Sequence, residues 1–161
     1  MDDSTAFRHL SGRFATGVAV VTADSGDGVA GSTVNSFASL SLDPLMVLFC
    51  LRHTSATRQV IERTGRYSVS ILSDAQRAVS DHFARRGGPL PDAALHRDGC
   101  FIRVRDALAW FDCALEGCLP GGDHVILKGK VIAFSGPAAA PAPLIYHHGA
   151  YTRLDPQKAS G

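Results

Sequence analysis

The chain has 161 residues, of which 45% are hydrophobic and 19% charged, and a formal net charge of +1. This composition is ordinary for a folded globular chain and excludes wholesale disorder, while the near-neutral charge removes the broad basic field expected of a nucleic-acid or anionic-lipid binder. The length suits a single domain over residues 1–161 whose natural ligand is a small molecule.

The opening MDDSTAFRHL lacks the basic and apolar regions of a secretory signal, and no apolar run approaches the roughly 20 residues of a membrane span, so a cytoplasmic protein without membrane contact is expected. Ser4 is the expected cap of a short helix that puts Phe7, Leu10, Ser11 and Phe14 on one face and stops at Gly17. From Val18 the run VAVVTA, the turn SGDG at 25–28 and the run VAGSTV predict a hairpin. It leads into GSTVNSFASLSLDP at 31–44, a stretch of hydroxyls, one amide and small residues between two apolar runs. Such a filling brings backbone close to a docked molecule and offers many hydrogen-bonding groups in little volume. It is either a ligand cradle or a polar hairpin connection rich in turn formers.

LMVLFCL at 45–51 is apolar throughout, which predicts a strand covered on both faces. A helix follows over 56–64, capped by Ser55 or Thr54, with Val60 and Ile61 inward and Gly65 past its end. YSVSIL at 67–72 alternates as a strand. Ser73 and Gln76 have capping-box spacing ahead of a second helix, whose partly apolar stripe is Ala75, Val79, His82 and Phe83. RRGGPLPD at 85–92 is an irregular loop whose two arginines either meet a phosphate or are simply solvated. Strands are expected at CFIRV, at ALAWFDCALEGCL with a change of phase near Leu115, and at VILKGKVIAF. A Pro/Ala connector and LIYHHGAYTRL close the chain. Hairpin turns between the early strands argue against a doubly wound parallel sheet, and the pattern predicts a mainly β fold, an antiparallel barrel with peripheral helices. Cys50, Cys100, Cys113 and Cys118 have no zinc spacing and read as free thiols.

Three further places carry candidate chemistry. HTSAT at 53–57 opens a helix, where free N–H groups and the positive end of the dipole suit an anion, with hydroxyls from Ser55 and Thr57 and charge from Arg58; the same residues also serve as an ordinary cap. GGDH at 121–124 sets His124 at the mouth of a strand, as a ligand contact or a solvated turn residue. YHHGAY at 146–151 gathers two aromatics and two histidines, and on a strand His147 and His148 point to opposite faces, which speaks against a shared metal. Neither a Ser/His/Asp set nor a Walker or G-x-G-x-x-G loop is present.

In order, F-x-x-x-x-G-x-F-A-T-G-V-A-V-V-T, G-S-T-V-N-S-F-A-S-L-S-L-D-P, S-A-T before a helix, H-F-A, G-G-D-H and Y-x-x-G-x-Y resemble the short-chain flavin reductases, the reductase components of two-component flavin-dependent monooxygenases. The resemblance runs over about residues 5–154. It implies a split antiparallel β-barrel that forms a homodimer, binds FMN or FAD, accepts hydride from NADH or NADPH and supplies reduced flavin to a partner monooxygenase. By the same resemblance Ser32, Thr33, Val34, Asn35 and Ser36 would line the isoalloxazine and ribityl chain, with Ser39 behind them. Leu51, Ser55 and Thr57 would hold the phosphate side together with Phe83, Ala84 and Arg85, and His124 and Tyr151 would face the nicotinamide. The residues agree with this chemistry: a reduced flavin carries negative charge that close backbone donors stabilise, and hydride transfer between stacked rings needs no catalytic triad.

Overall fold

The computed structural model describes residues 2–85, 88–139 and 141–154; of the arginine-bearing loop, Arg86 and Gly87 lie outside the described residues. Helix α1 (Asp3–Ser11) is capped by Asp2, whose carboxylate accepts from the Thr5 N–H at 2.7 Å, and it ends at Gly12. The expected cap, Ser4, instead donates to Asp2 at 2.9 Å, because an ionised carboxylate is the stronger acceptor for a helix start. With the helix ending five residues before Gly17, Phe14 leaves the expected apolar face and stands 78% exposed.

The remaining elements are β1 (Thr16–Gly17), β2 (Ala19–Asp24), β3 (Val29–Val34), β4 (Ala38–Leu42), β5 (Leu45–Arg52), α2 (Ala56–Thr64), β6 (Arg66–Ile71), a 3-10 turn (Asp74–Gln76), α3 (Arg77–Phe83), β7 (Leu95–Asp98), β8 (Phe101–Val104), β9 (Ala109–Gly121), β10 (His124–Ser135), β11 (Ile145–His147) and β12 (Ala150–Thr152). Seven strands make one antiparallel sheet in the order β3-β2-β6-β9-β10-β5-β4. Its two edges, β3 and β4, are consecutive in the chain and separated only by residues 35–37, so the sheet must curl until the edges approach. Side chains join the walls there in place of a ladder. Ser32 Oγ donates to Thr57 Oγ1 at 2.9 Å, and Ser36 Oγ accepts from the Cys50 N–H at 2.9 Å. The result is the expected mainly β split barrel, and the split between β3 and β5 is where a cleft opens.

Inside the barrel lie Val21, Phe49, Ile61, Tyr67, Val69, Cys113 and Leu127. Gly129 is required there because a Cβ would stand 1.7 Å from the Tyr67 hydroxyl. A second cluster, Val18, Val20, Leu72, Val79, Phe83 and Val104, packs α3 and β8 against the outer face of β2. This second layer explains two departures from the sequence pattern. Strand β6, expected to alternate, is buried continuously from Tyr67 to Ser70. Its two serines, buried on the outer face under β8, are satisfied: Ser70 Oγ accepts from the Val104 N–H at 3.0 Å and Ser68 Oγ donates to Asp112 at 2.8 Å. Strand β5, expected to be covered on both faces, alternates instead. Val47, Phe49 and Leu51 are buried, whereas Met46, Leu48 and Cys50 are half-buried, because the second layer packs over β2 and β6 and not over β5.

The phase change near Leu115 is a bulge: Leu115 pairs with Gly129 and Gly117 with Lys128, leaving Glu116 unopposed. The hairpin β7–β8 and the small sheet β1-β11-β12 complete the fold. The last corrects the view of the tandem histidines. β11 ends at His147, and His148 takes a left-handed turn conformation (φ 49°), so the two rings meet at 4.4 Å and do not diverge. Among the described residues no helix is long and apolar enough to cross a membrane.

Candidate functional site

The split opens into a cleft of about 450 Å³. One wall is β3 with its continuation, Ser32, Thr33, Val34, Asn35 and Ser36, together with Phe83, Ala84 and Arg85 at the end of α3. The other is the end of β5 and the approach to α2, with His124 from the start of β10. Small residues form the first wall for a packing reason: a Cβ on Gly31 would lie 2.3 Å from the Phe83 ring, so glycine lets α3 sit directly on β3. Thr33 Oγ1 donates to the Ser80 carbonyl at 2.7 Å and fixes the same contact.

The second wall follows from local chemistry. Helix α2 starts at Ser55, whose Oγ accepts from the Arg58 N–H at 3.3 Å, and stops at Gly65 in the left-handed conformation (φ 66°), as the sequence predicts. The approach to the helix is held to the GGDH turn by two bonds from His53. The His53 N–H donates to the Asp123 carbonyl at 3.3 Å, and His53 Nε2 meets the Gly122 carbonyl at 3.1 Å. That docking brings the helix start beside His124 at the cleft. His124 Nδ1 lies 2.7 Å from Asp123 Oδ1, and this bond holds the Asp123 carboxyl below the usual carboxylate range. The bond to Nδ1 leaves Nε2 as the ring's free nitrogen.

Eleven of the fourteen residues singled out from the sequence line this cleft: Ser32 to Ser36, Leu51, Ser55, Phe83, Ala84, Arg85 and His124. Thr57 lies beneath it, 3% exposed and engaged with Ser32. Tyr151 sits behind the β3 wall, its hydroxyl 2.7 Å from Ser80 Oγ. Ser39 is on β4, paired with Val47 and away from the lining. Two lining residues escaped the sequence reading, Cys50 and Arg52, and Thr54 entered it only as an alternative cap. The signal for Arg52 was present: a cation that ends an apolar strand immediately before a helix cap. A second cavity of about 620 Å³, between α1 and the β11–β12 turn, adjoins the cleft through Asn35 and Ser36.

A curled antiparallel sheet whose split is bounded by small polar residues on one side and a helix start on the other is the layout of a nucleotide-cofactor protein. The chain belongs to the flavin reductase like domain family, whose model matches residues 11–155. It is 43% identical over 139 residues to a probable flavin reductase of Rhizobium meliloti, covering 82% of this chain but only 43% of that longer protein. It is 38% identical to HsaB, the reductase subunit of a flavin-dependent monooxygenase of Mycobacterium tuberculosis, over 98% of this chain and 86% of that one. Among solved structures it resembles the NADH:FAD oxidoreductase SgcE6 of Streptomyces globisporus, in complex with NAD and FAD fragments, with TM-score 0.88 and 30% identity over 97% of this chain and 95% of that one.

Proposed function

We propose that this chain is an NAD(P)H-dependent flavin reductase that binds FMN or FAD in the split of its barrel and passes reduced flavin to a partner monooxygenase. The observation that carries this reading is the cleft itself, in which a polar wall of small residues faces a helix start. The residues fit a flavin nucleotide: the lining contains hydroxyls, an amide, two arginines and a histidine, but no carboxylate to repel a phosphate. A bound flavin supplies the hydride acceptor. Ser32 and Ser36, each bonded across the split, keep the two walls at a fixed separation. The first turn of α2 takes the phosphate on its N–H groups, and Ser55 donates its hydroxyl proton while its oxygen still accepts from Arg58. His124, held by Asp123, orients the nicotinamide nucleotide at the cleft mouth and moves no proton.

We further propose that the protein acts in the cytoplasm as a homodimer of single-domain subunits. Leu42 and Leu45 at the β4–β5 turn are 85% and 40% exposed, and Ile132 and Phe134 on β10 are 53% and 59% exposed. Leu42 pairs with Leu45, and Met46 pairs with Lys130, two residues before Ile132, so this end of the sheet carries exposed apolar side chains that suit a symmetric contact. Oxidation of NADH by the purified protein, with and without FMN, FAD or riboflavin, tests the activity. Flavin-dependent NADH consumption is expected, and a protein that binds flavin yet consumes no NADH or NADPH refutes the reductase reading.

A further inference from the structure

We infer that Tyr151 is a positioning residue for the flavin wall: from behind the sheet it seats α3 on β3 through Ser80, and it does not touch the nicotinamide nucleotide. The inference rests on the proposed flavin cleft and adds a residue that governs the cleft without lining it. Strand β3 is an edge of the seven-stranded sheet, so its ladder with β2 fixes one of its sides, and the wall it gives the cleft needs further support. Gly31 and Thr33 point to the same face of β3 by the two-residue period of a strand, and both meet α3. The bare Gly31 backbone lies against the Phe83 ring, and Thr33 Oγ1 donates to the Ser80 carbonyl at 2.7 Å. The seat of α3 therefore sets where this wall stands. Phe83 at the end of the same helix, with Ala84 and Arg85 after it, is itself part of the lining.

Helix α3 is seven residues long, too short to hold its place without tertiary contacts. Val79 and Phe83 give it an apolar anchor in the outer cluster. Its polar anchor is Tyr151, half-buried on β12. The Tyr151 hydroxyl oxygen is 2.7 Å from Ser80 Oγ, and the Arg77 guanidinium lies over the Tyr151 ring, 5.2 Å from its centre. Arg77 and Ser80 are three apart and share one face of the helix, so a single side chain grips α3 at two points, with its ring and with its hydroxyl. The Tyr146 ring, edge-on at 5.7 Å, backs it. Ser80 is fully buried and joins the two bonds: its hydroxyl meets Tyr151, and its carbonyl accepts from Thr33. A shift of α3 at Ser80 is thus passed directly to Thr33. Neither Tyr151 nor Ser80 lines the cleft, so their effect reaches the flavin through the wall.

The test is titration of riboflavin and FMN, followed by flavin fluorescence, together with steady-state NADH oxidation, on the parent, Tyr151→Phe, Ser80→Ala and the double variant. Tyr151→Phe keeps the ring, with its Arg77 and Tyr146 contacts, and removes only the hydroxyl. It is expected to weaken both flavins by the same factor, about 3- to 10-fold, as loss of one hydrogen bond allows, because the wall it moves meets the ring system and not the phosphate. The KM for NADH at saturating flavin should stay within about twofold of the parent value. Ser80→Ala removes the same bond from its other end, and the double variant should lose no more than the larger single loss. A raised KM for NADH with unchanged flavin affinity would make Tyr151 a nicotinamide contact and overturn the inference. So would a lower melting temperature with neither ligand affected, which marks a merely structural bond. Losses that add in the double variant would overturn it as well, since Tyr151 would then act by a route other than Ser80. A parent that binds no flavin would remove the reading of the cleft, and this inference with it; each of the other results leaves that reading in place.

Discussion

Arg103 and Arg52 face the same physical problem, a permanent cation next to a folded sheet, and the chain treats them oppositely. Arg103, on β8, is 11% exposed, bonds Asp112 through Nε at 3.0 Å as well as through its terminal nitrogen, reaches Asp98 at 3.0 Å and lies 3.6 Å from the centre of the Trp110 ring. Asp112, 1% exposed, also accepts from Ser68. Every strong donor and acceptor of that cluster is answered by the protein itself, so it holds the β7–β8 hairpin on the barrel and has nothing left for a ligand. At the cleft the pattern differs: Ser32, Ser36, Ser55 and His124 each spend one bond within the fold and keep capacity to spare, and the Arg52 guanidinium has no hydrogen-bonded acceptor among the described residues. A satisfied polar cluster belongs to the fold, and an unsatisfied one facing a cavity belongs to its ligand.

That contrast can be broken from either side. The largest effect is expected for Arg103→Ala, which strands the Asp112 carboxylate in the interior. Breaking a buried pair from one side costs about 3–5 kcal/mol, a large share of a domain's stability. Urea unfolding should show that loss, while flavin affinity of the remaining folded protein stays at the parent value. Gly31→Ala comes next. Its methyl would overlap the Phe83 ring, and overpacking of this kind costs about 1–3 kcal/mol. Because Phe83 also lines the cleft, stability and flavin affinity should fall together; a stability loss without a flavin loss would separate α3 from the site.

Ser55→Ala sharpens the comparison, since it removes a cap and a phosphate contact at once. Loss of the cap is expected to cost about 1 kcal/mol of stability, and FMN affinity should fall about tenfold or more with riboflavin unchanged. Calorimetric titration with both ligands checks the split. The smallest effect concerns the histidines beside α1. Local desolvation of this exposed ring, together with the charges of His147, His9 and Arg13 close by, holds His148 below its ordinary value of 6.5. The folded protein therefore binds fewer protons here than the unfolded chain. Its contribution is complete above the unfolded value and is lost as the pH falls through 6.5 toward the lower folded value. A melting temperature that declines slightly between about pH 7.5 and 5.5, with a flatter profile in His148→Gln, is the expected result.

How much of this was legible in the sequence depends on whether the governing interactions are local. Helix α2 with its Ser55 cap and Gly65 terminus, the Ser73 capping box and the hairpin turns are short-range devices, and they form where the residues indicate. The polar wall at 32–36 was legible because hydroxyls and an amide in a row between strands have few other uses. β7 was not legible. Leu95–Asp98 reads LHRD, a poor strand by composition, and it forms because it pairs with β8 while Arg97 and Asp98 bind Asp24 and Arg103. Burial of β6 on both faces required knowing that β8 and Asp112 would cover it. Arg52 was missed because its place in the lining depends on the β5–β10 register, which sets it opposite His124 across 72 residues of chain.

The central claim is that the split between β3 and β5 receives the flavin. The most direct measurement is a crystal of the protein soaked with FMN. The account predicts density for the ring system against residues 32–36, with the phosphate at the first turn of α2 beside Ser55. A flavin ring lodged between α1 and the β11–β12 turn, or a phosphate bound away from α2, would contradict it.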